Sequence, residues 1–237
     1  MTNAIARYLD NMREVDGWGI DDELAPMFLL LNHLQLECGI RGSLFEIGVH
    51  HGRTAILLAL MAQPTEQCVF LDLFDRQAEN IDKSGRGDLQ VFRENLARWA
   101  PGIREPEIVI GNSLELDFTK VPGLALGVRF AHIDGGHYKD LVLNDLHKTE
   151  SVLGPGAIVV VDDFLHSGYL GVNEACNHYL LEAGGAGLSP IATGKNKLML
   201  AVRPHAEIYR NGLSDALTPR RPLADFYGEK LICLDRF

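Results

Sequence analysis

Basic charge is what this chain has least of. Its 22 Lys and Arg are outnumbered by 32 Asp and Glu, for a formal charge of −10. A nucleic-acid surface, which needs a clustered basic face, is therefore not expected, and an anionic membrane is a poor partner for the same reason. Cysteine is scarce: Cys38, Cys68, Cys176 and Cys233 are widely spaced and form no CxxC. That excludes paired metal-binding thiols and fits free thiols in a reducing compartment. Long apolar runs are also missing. The longest, in TAILLALMAQP, is too short to span a bilayer, and MTNAIARYLDNMREVDG lacks the apolar stretch of a signal peptide. These absences lead to the expectation of a cytoplasmic protein with no nucleic-acid partner and no membrane insertion.

What is present is enough apolar material, 46% of 237 residues, for one sizeable domain with appendages. After residue 40, apolar runs alternate with helical periodicities. Strands are expected at 43–48, 68–73, 106–111, 128–134, 156–162, 188–193 and 197–203, and helices at 52–63, 86–99, 139–152 and 171–183. Such alternation implies an α/β fold whose first five strands run parallel beneath helices on both faces. The last two strands are separated only by a few residues around Gly194–Asn196, too few for a crossover helix, so they should form an antiparallel hairpin. The expected architecture is a seven-stranded sheet in a domain at 41–203, preceded by a helical extension at 1–40 and followed by an irregular or interface-forming tail at 204–237. The apolar helix at 26–36 and the Arg-containing tail point to a homodimer, although core packing explains the helix equally well.

In SLFEIGVHHGRTAILLAL a strand ends in Glu46-x-Gly48-x-x-x-Gly52 and a helix begins at once. Glycines allow the sharp turn, and the free N–H groups of the helix start face the crevice where open α/β sheets bind ligands. A bare βα turn without a ligand is the simpler alternative, but it leaves Asp72, at the end of the second strand, unexplained. That carboxylate is positioned to accept hydrogen bonds from a ribose diol. A dinucleotide site would show G-x-G-x-x-G, and this spacing differs.

Two apolar runs, RFAHID and GAIVVVDD, stop on carboxylates. Parallel strands present their C-terminal ends on one edge of the sheet, so Asp134, Asp162 and Asp163 should converge. Clustered like charges need neutralising. A hard divalent cation such as Mg²⁺, with its preference for oxygen, would do this; three solvated strand-end acids are the alternative. His137, three residues after Asp134, is a candidate general base. His132 shares a strand face with Asp134 and is read more readily as a core group supporting the site. His166, Tyr169 and His50 are candidate acceptor contacts.

Acid-x-Gly-x-x-x-Gly, the acid on the second strand and the antiparallel final hairpin together resemble the class I S-adenosylmethionine (SAM)-dependent methyltransferases, which have a Rossmann-like fold. The resemblance implies that Glu46 lies near the amino end of SAM, that Gly48 and Gly52 pass beneath its methionine part, that Asp72 holds the ribose and that Ser113 contacts adenine. A turn or cap role for Ser113 is equally open. Asp134 is counted with both the cofactor and the metal. The spacing of Asp134 and Asp162–Asp163 resembles the metal centre of catechol-type O-methyltransferases, with Asp163 in place of an amide, as in sugar methyltransferases of the macrocin and mycinamicin type. FEIGVHHGRTAILLAL, LDLFDRQAENIDKSGRGD, IDGGHYKDLVLNDL, VVVDDF and NKLML resemble the 1-O-methyltransferases of methylmannose polysaccharides.

The implied activity is Mg²⁺-dependent O-methylation of a sugar or glycoside, a mannoside included, with a small-molecule or oligosaccharide acceptor. Three alternatives stay open: methylation of a small phenol or other diol, a hydroxylase using His132, His137 and Asp134 around iron, and a non-catalytic SAM-binding assembly protein.

Overall fold

Neighbouring residues along each strand pack into two different cores, as the two-residue period of a β-strand requires. Leu44, Phe70, Phe130, Ile158 and Val160 enter one core, whereas Phe45, Val69, Ala131, Val159 and Val161 enter the other. The sheet is therefore buried on both faces, which is why its strands read as unbroken apolar runs. The computed structural model describes residues 3–182, 187–217 and 222–235. Residue 183 of the helix expected at 171–183, and Arg220 and Arg221 of the tail, lie outside the described residues.

The chain opens with α1 (Asn3–Asn11) and α2 (Ala25–Glu37). The alternating part follows as β1 (Ser43–Ile47), α3 (Arg53–Met61), β2 (Cys68–Asp72), α4 (Leu89–Trp99), β3 (Glu107–Ile110), β4 (Val128–Ile133), α5 (Lys139–Glu150), β5 (Leu153–Val161) and α6 (Leu170–Leu181). It closes with β6 (Leu188–Gly194), β7 (Lys197–Val202), α7 (Ala206–Ala216), β8 (Leu223–Phe226) and β9 (Glu229–Cys233). Local chemistry sets several boundaries. Pro26 stands in the first turn of α2, where its missing N–H costs no helical bond. Asp88 caps α4 by accepting the Val91 N–H at 2.9 Å.

The strand order is β3-β2-β1-β4-β5-β7-β6-β9-β8. β1 to β5 are mutually parallel, and β7 runs antiparallel to β5 and to β6. Tyr8, Phe28, Ile56, Phe92 and Tyr209 bring α1 to α4 and α7 onto one face, and Val142, Leu146, Val172 and Tyr179 bring α5 and α6 onto the other.

The expectation of seven strands is corrected to nine among the described residues. The tail is not irregular either: α7 packs on the sheet, and the β8–β9 hairpin extends it through a parallel pairing of β9 with β6. The turn is made by Tyr227 and Gly228, both at positive φ (51° and 75°), which suits a tight hairpin. No described helix is long and apolar enough to cross a membrane.

Candidate active site

The C-terminal ends of β1, β2, β4 and β5 deliver Glu46, Asp72, Asp134, Asp162 and Asp163 to one cavity of about 500 Å³. Gly48, His50, Ser113, His137, His166 and Tyr169 line it as well. Gly52 does not: it is the residue before α3, at φ 95°, and a Cβ there would come within 2.5 Å of the Phe92 ring. Gly48, at φ 84°, is crossed by the end of β4, where a Cβ would meet the Asp134 carbonyl oxygen at 1.8 Å. Packing within the protein thus demands a glycine at both positions, and only Gly48 also faces the cavity.

Asp72 braces the glycine turn. Its Oδ2 accepts the N–H groups of Val49 (2.6 Å) and His50 (2.7 Å), and its Oδ1 accepts that of Phe74 (2.6 Å). A carboxylate has about four acceptor sites, so capacity for a further donor is left. Ser113 lies at the cavity wall, where its carbonyl accepts from Lys148 Nζ at 2.7 Å. The N-terminal extension reaches the same cavity through Asp16–Gly19, with the exposed Trp18 ring 5.5 Å from that of His50.

Behind the cavity, His132 is wholly buried between two acids. Its Nδ1 lies 2.8 Å from Glu46 Oε1, and its Nε2 is 3.7 Å from Asp162 Oδ2, close enough for charge attraction without a hydrogen bond. Burial alone would lower the imidazole pKa, but Asp162 and Glu46 outweigh it and raise it to about 9. Burial raises Glu46 to about 7, and its Oε2 has no hydrogen-bond partner.

The three aspartates differ in how they are neutralised. Asp162 Oδ1 accepts from the buried Lys197 ammonium and from the Asp163 N–H (2.7 Å); burial would raise its carboxyl, but His132 and Lys197 outweigh it and hold it below the usual range. Asp163, at φ 58°, accepts the Asn196 side-chain amide on Oδ1 at 2.6 Å. No hydrogen-bond donor on the Asp134 carboxylate is found among the described residues, and burial with the nearby Asp162 pushes that group well above its ordinary value. Asp134 groups with His132 and Asp162 on one side, and with His137 and Asp163 on the other, with potential ligand atoms within 4.8 Å in each group.

This donor set fits a hard divalent cation. It consists of carboxylate oxygens, one oxygen each of Asp162 and Asp163 is fixed by a protein donor, and the Asp134 carboxylate accepts no hydrogen bond among the described residues. It fits an iron centre with two histidines poorly, because His132 and His137 fall in separate groups.

His137 is held on three sides. Its Nδ1 is 2.9 Å from Asp82 Oδ2, its Nε2 is 3.0 Å from Asp163 Oδ2, and its ring stacks on Tyr169 at 3.8 Å between centroids. Burial would lower its pKa, but Asp163 and Asp82 together raise it to about 9. His166 stacks on the same Tyr169 ring, at 4.6 Å between centroids.

Sequence reasoning passed over Asp82, Asn196 and Lys197. Lys197 opens an otherwise apolar strand, a charge out of place that could have drawn attention to it. The Asn-Asp-Ser-Gly composition around Asp82 marks a turn but names no distant partner.

The profile of the family described as a methyltransferase domain matches residues 45–164, just over half of the chain. That span holds the glycine turn, all five strand-end acids and His137. The chain belongs to this family. Among solved structures, the O-methyltransferase NovP is similar over 83% of this chain and 98% of its own, with 13% identity and a TM-score of 0.67. An O-methyltransferase from Bacillus cereus in complex with SAH is similar over 85% and 91%, with 17% identity and a TM-score of 0.57. CalS11, a TDP-rhamnose 3'-O-methyltransferase of calicheamicin biosynthesis, is similar over 83% and 91%, with 19% identity and a TM-score of 0.54. At these identities the likeness is one of fold. Curated proteins give no match to the sequence.

Proposed function

We propose, from membership of the methyltransferase-domain family, that the chain transfers the methyl group of SAM to a hydroxyl of a sugar or glycoside, with a divalent cation of the Mg²⁺ type and His137 as general base. The observation that carries this reading is the meeting of Asp134, Asp162, Asp163 and His137 on one cavity wall beside the glycine turn. The SAH-bound and TDP-rhamnose-methylating fold relatives support SAM as donor and a sugar as acceptor. A mannoside methylated at its 1-hydroxyl is the acceptor that the sequence resemblance favours.

When bound, SAM supplies an electrophilic methyl group and the cation lowers the pKa of an acceptor hydroxyl. Asp134, Asp162 and Asp163 would hold the cation. Glu46 and Asp72 add an acidic lining to the cavity, suited to a sulfonium and a ribose. His137 takes the acceptor proton on Nε2. In the arrangement seen, that atom faces Asp163, and a ring between two carboxylates stays protonated. To act as base the ring must first release its Nε2 proton to solvent, a loss that would be favoured once Asp163 turned away to hold the cation. Fixing donor and acceptor in line can account for roughly 7–11 kcal/mol of the barrier.

The test is turnover on a panel of glycosides with SAM, read by mass spectrometry. Exhaustive chelation with EDTA should abolish product, and Mg²⁺ should restore it. His137→Ala should lose most of kcat while SAM affinity by calorimetry survives. Full turnover after chelation would remove the cation from the reaction, and a near-wild-type rate in His137→Ala would remove the base.

A further inference from the structure

Asp82 sits in the connection between β2 and α4, 55 residues before His137, yet it grips that residue twice. Its Oδ2 accepts the His137 backbone N–H at 2.6 Å and lies 2.9 Å from Nδ1. The carboxylate is itself oriented. Oδ1 accepts both the Ser84 N–H (3.0 Å) and the Ser84 hydroxyl (2.6 Å). Asn80 closes the same turn, accepting the Lys83 N–H at 3.0 Å and donating to the Ser84 carbonyl at 2.6 Å. Only 6% of the Asp82 side chain is exposed.

An acceptor-only carboxylate beside Nδ1 requires the proton to reside there. Tyr169 fixes the plane of the ring by stacking, and Asp82 fixes its rotation within that plane. Together they leave Nε2, which faces the cavity-lining Asp163 at 3.0 Å, as the nitrogen that would exchange a proton with an acceptor hydroxyl once that contact opened.

We propose that Asp82 is a positioning residue: it holds the proton on His137 Nδ1 and aims Nε2 into the cavity, so that the 80–87 loop is part of the catalytic apparatus. This rests on the reading of His137 as the base. The rival role is purely structural, a loop anchored to the start of α5.

A double-mutant cycle separates the two. Asp82→Asn should lower kcat by about 10²-fold or more, with KM for SAM changed less than about twofold, and Asp82→Glu should recover part of the loss. Because Asp82 acts through His137, Asp82→Asn combined with His137→Ala should be no slower than His137→Ala alone. Multiplying losses, or a raised KM at constant kcat, would overturn the proposal in favour of the anchor. Nitrogen-15 NMR of the His137 ring supplies a readout that needs no turnover. A slowly exchanging Nδ1–H should be present in the wild type and lost in Asp82→Asn, and an unchanged signal would overturn the proposal. If His137→Ala keeps full activity, the base reading fails by itself, and the NMR signal still reports whether Asp82 holds the ring.

Discussion

Arg129 and His132 lie three residues apart on β4, both wholly buried, at the two ends of the same sheet. Their surroundings are opposites. The Arg129 guanidinium is saturated: Nε and Nη2 each donate to Glu66 at 2.7 Å, and Nη1 donates to Asn32 (2.9 Å) and Gln35 (2.8 Å). Glu66 is saturated in turn, accepting the N–H groups of Gly42 (3.2 Å) and Gln63 (2.8 Å). At the other end, His132 Nε2 and Glu46 Oε2 have no hydrogen-bond partner, and burial with Asp162 outweighs the pull of His132 and Lys197 on Asp134. Burial costs a polar group equally at either end. The first cluster meets that cost with protein partners and takes no part in lining the active-site cavity. The second leaves it partly unmet beside the cavity that Glu46, Asp134 and Asp162 line, which is the pattern expected of groups kept for chemistry rather than for the fold.

The largest expected effect tests the second cluster. Asp134→Asn should lower turnover by about 10³-fold, or ~4 kcal/mol of transition-state stabilisation, while thermal stability is unchanged or raised because a carboxylate repelled by Asp162 is gone. A large loss of Tm would mean that Asp134 belongs with the structural groups after all. Arg129→Met is the mirror experiment. Leaving Glu66 buried and unpaired should destabilise the fold by about 3–5 kcal/mol, a Tm loss of about 10 °C for a chain of this size. Turnover per folded molecule should stay within about twofold, and Arg129→Met with Glu66→Met should recover most of the stability.

The parallel strands β1, β2, β4 and β5 were legible because burial on both faces leaves an apolar signal, and their ends named the acids. β8 and β9 were not. LADF alternates exposed and half-buried residues, EKLIC mixes charge with apolar side chains, and their anchor is a parallel pairing with β6 some forty residues away. The same limit divides the site. Glu46, Asp72, Asp134 and Asp162–Asp163 end strands whose mutual order the alternation implies, so their meeting could be inferred. Asp82 and Lys197 reach the cavity from a loop and from the hairpin, and only tertiary contacts bring them to His137 and Asp162. Gly52 fits the expected motif, yet the Phe92 ring is what its missing side chain accommodates, a contact local spacing does not encode.

The finest contrast between the two clusters is in proton uptake. Burial raises the Glu46 carboxyl from 4.5 to about 7, against a weaker opposing pull from His132. The folded protein therefore keeps a proton that the unfolded chain has released above pH 4.5. Where the native state binds more protons than the unfolded state, stability falls as pH rises. The Glu46 contribution should thus decline between about pH 4.5 and 7 and level off above that window. Glu46→Gln, which cannot ionise, should flatten this segment of a denaturant-derived stability profile, whereas Arg129→Met should lower the whole profile and leave its slope there intact. If Glu46→Gln shifted the curve without changing its slope, Glu46 would be as well compensated as Glu66, and the distinction between the two ends of β4 would lose its electrostatic basis.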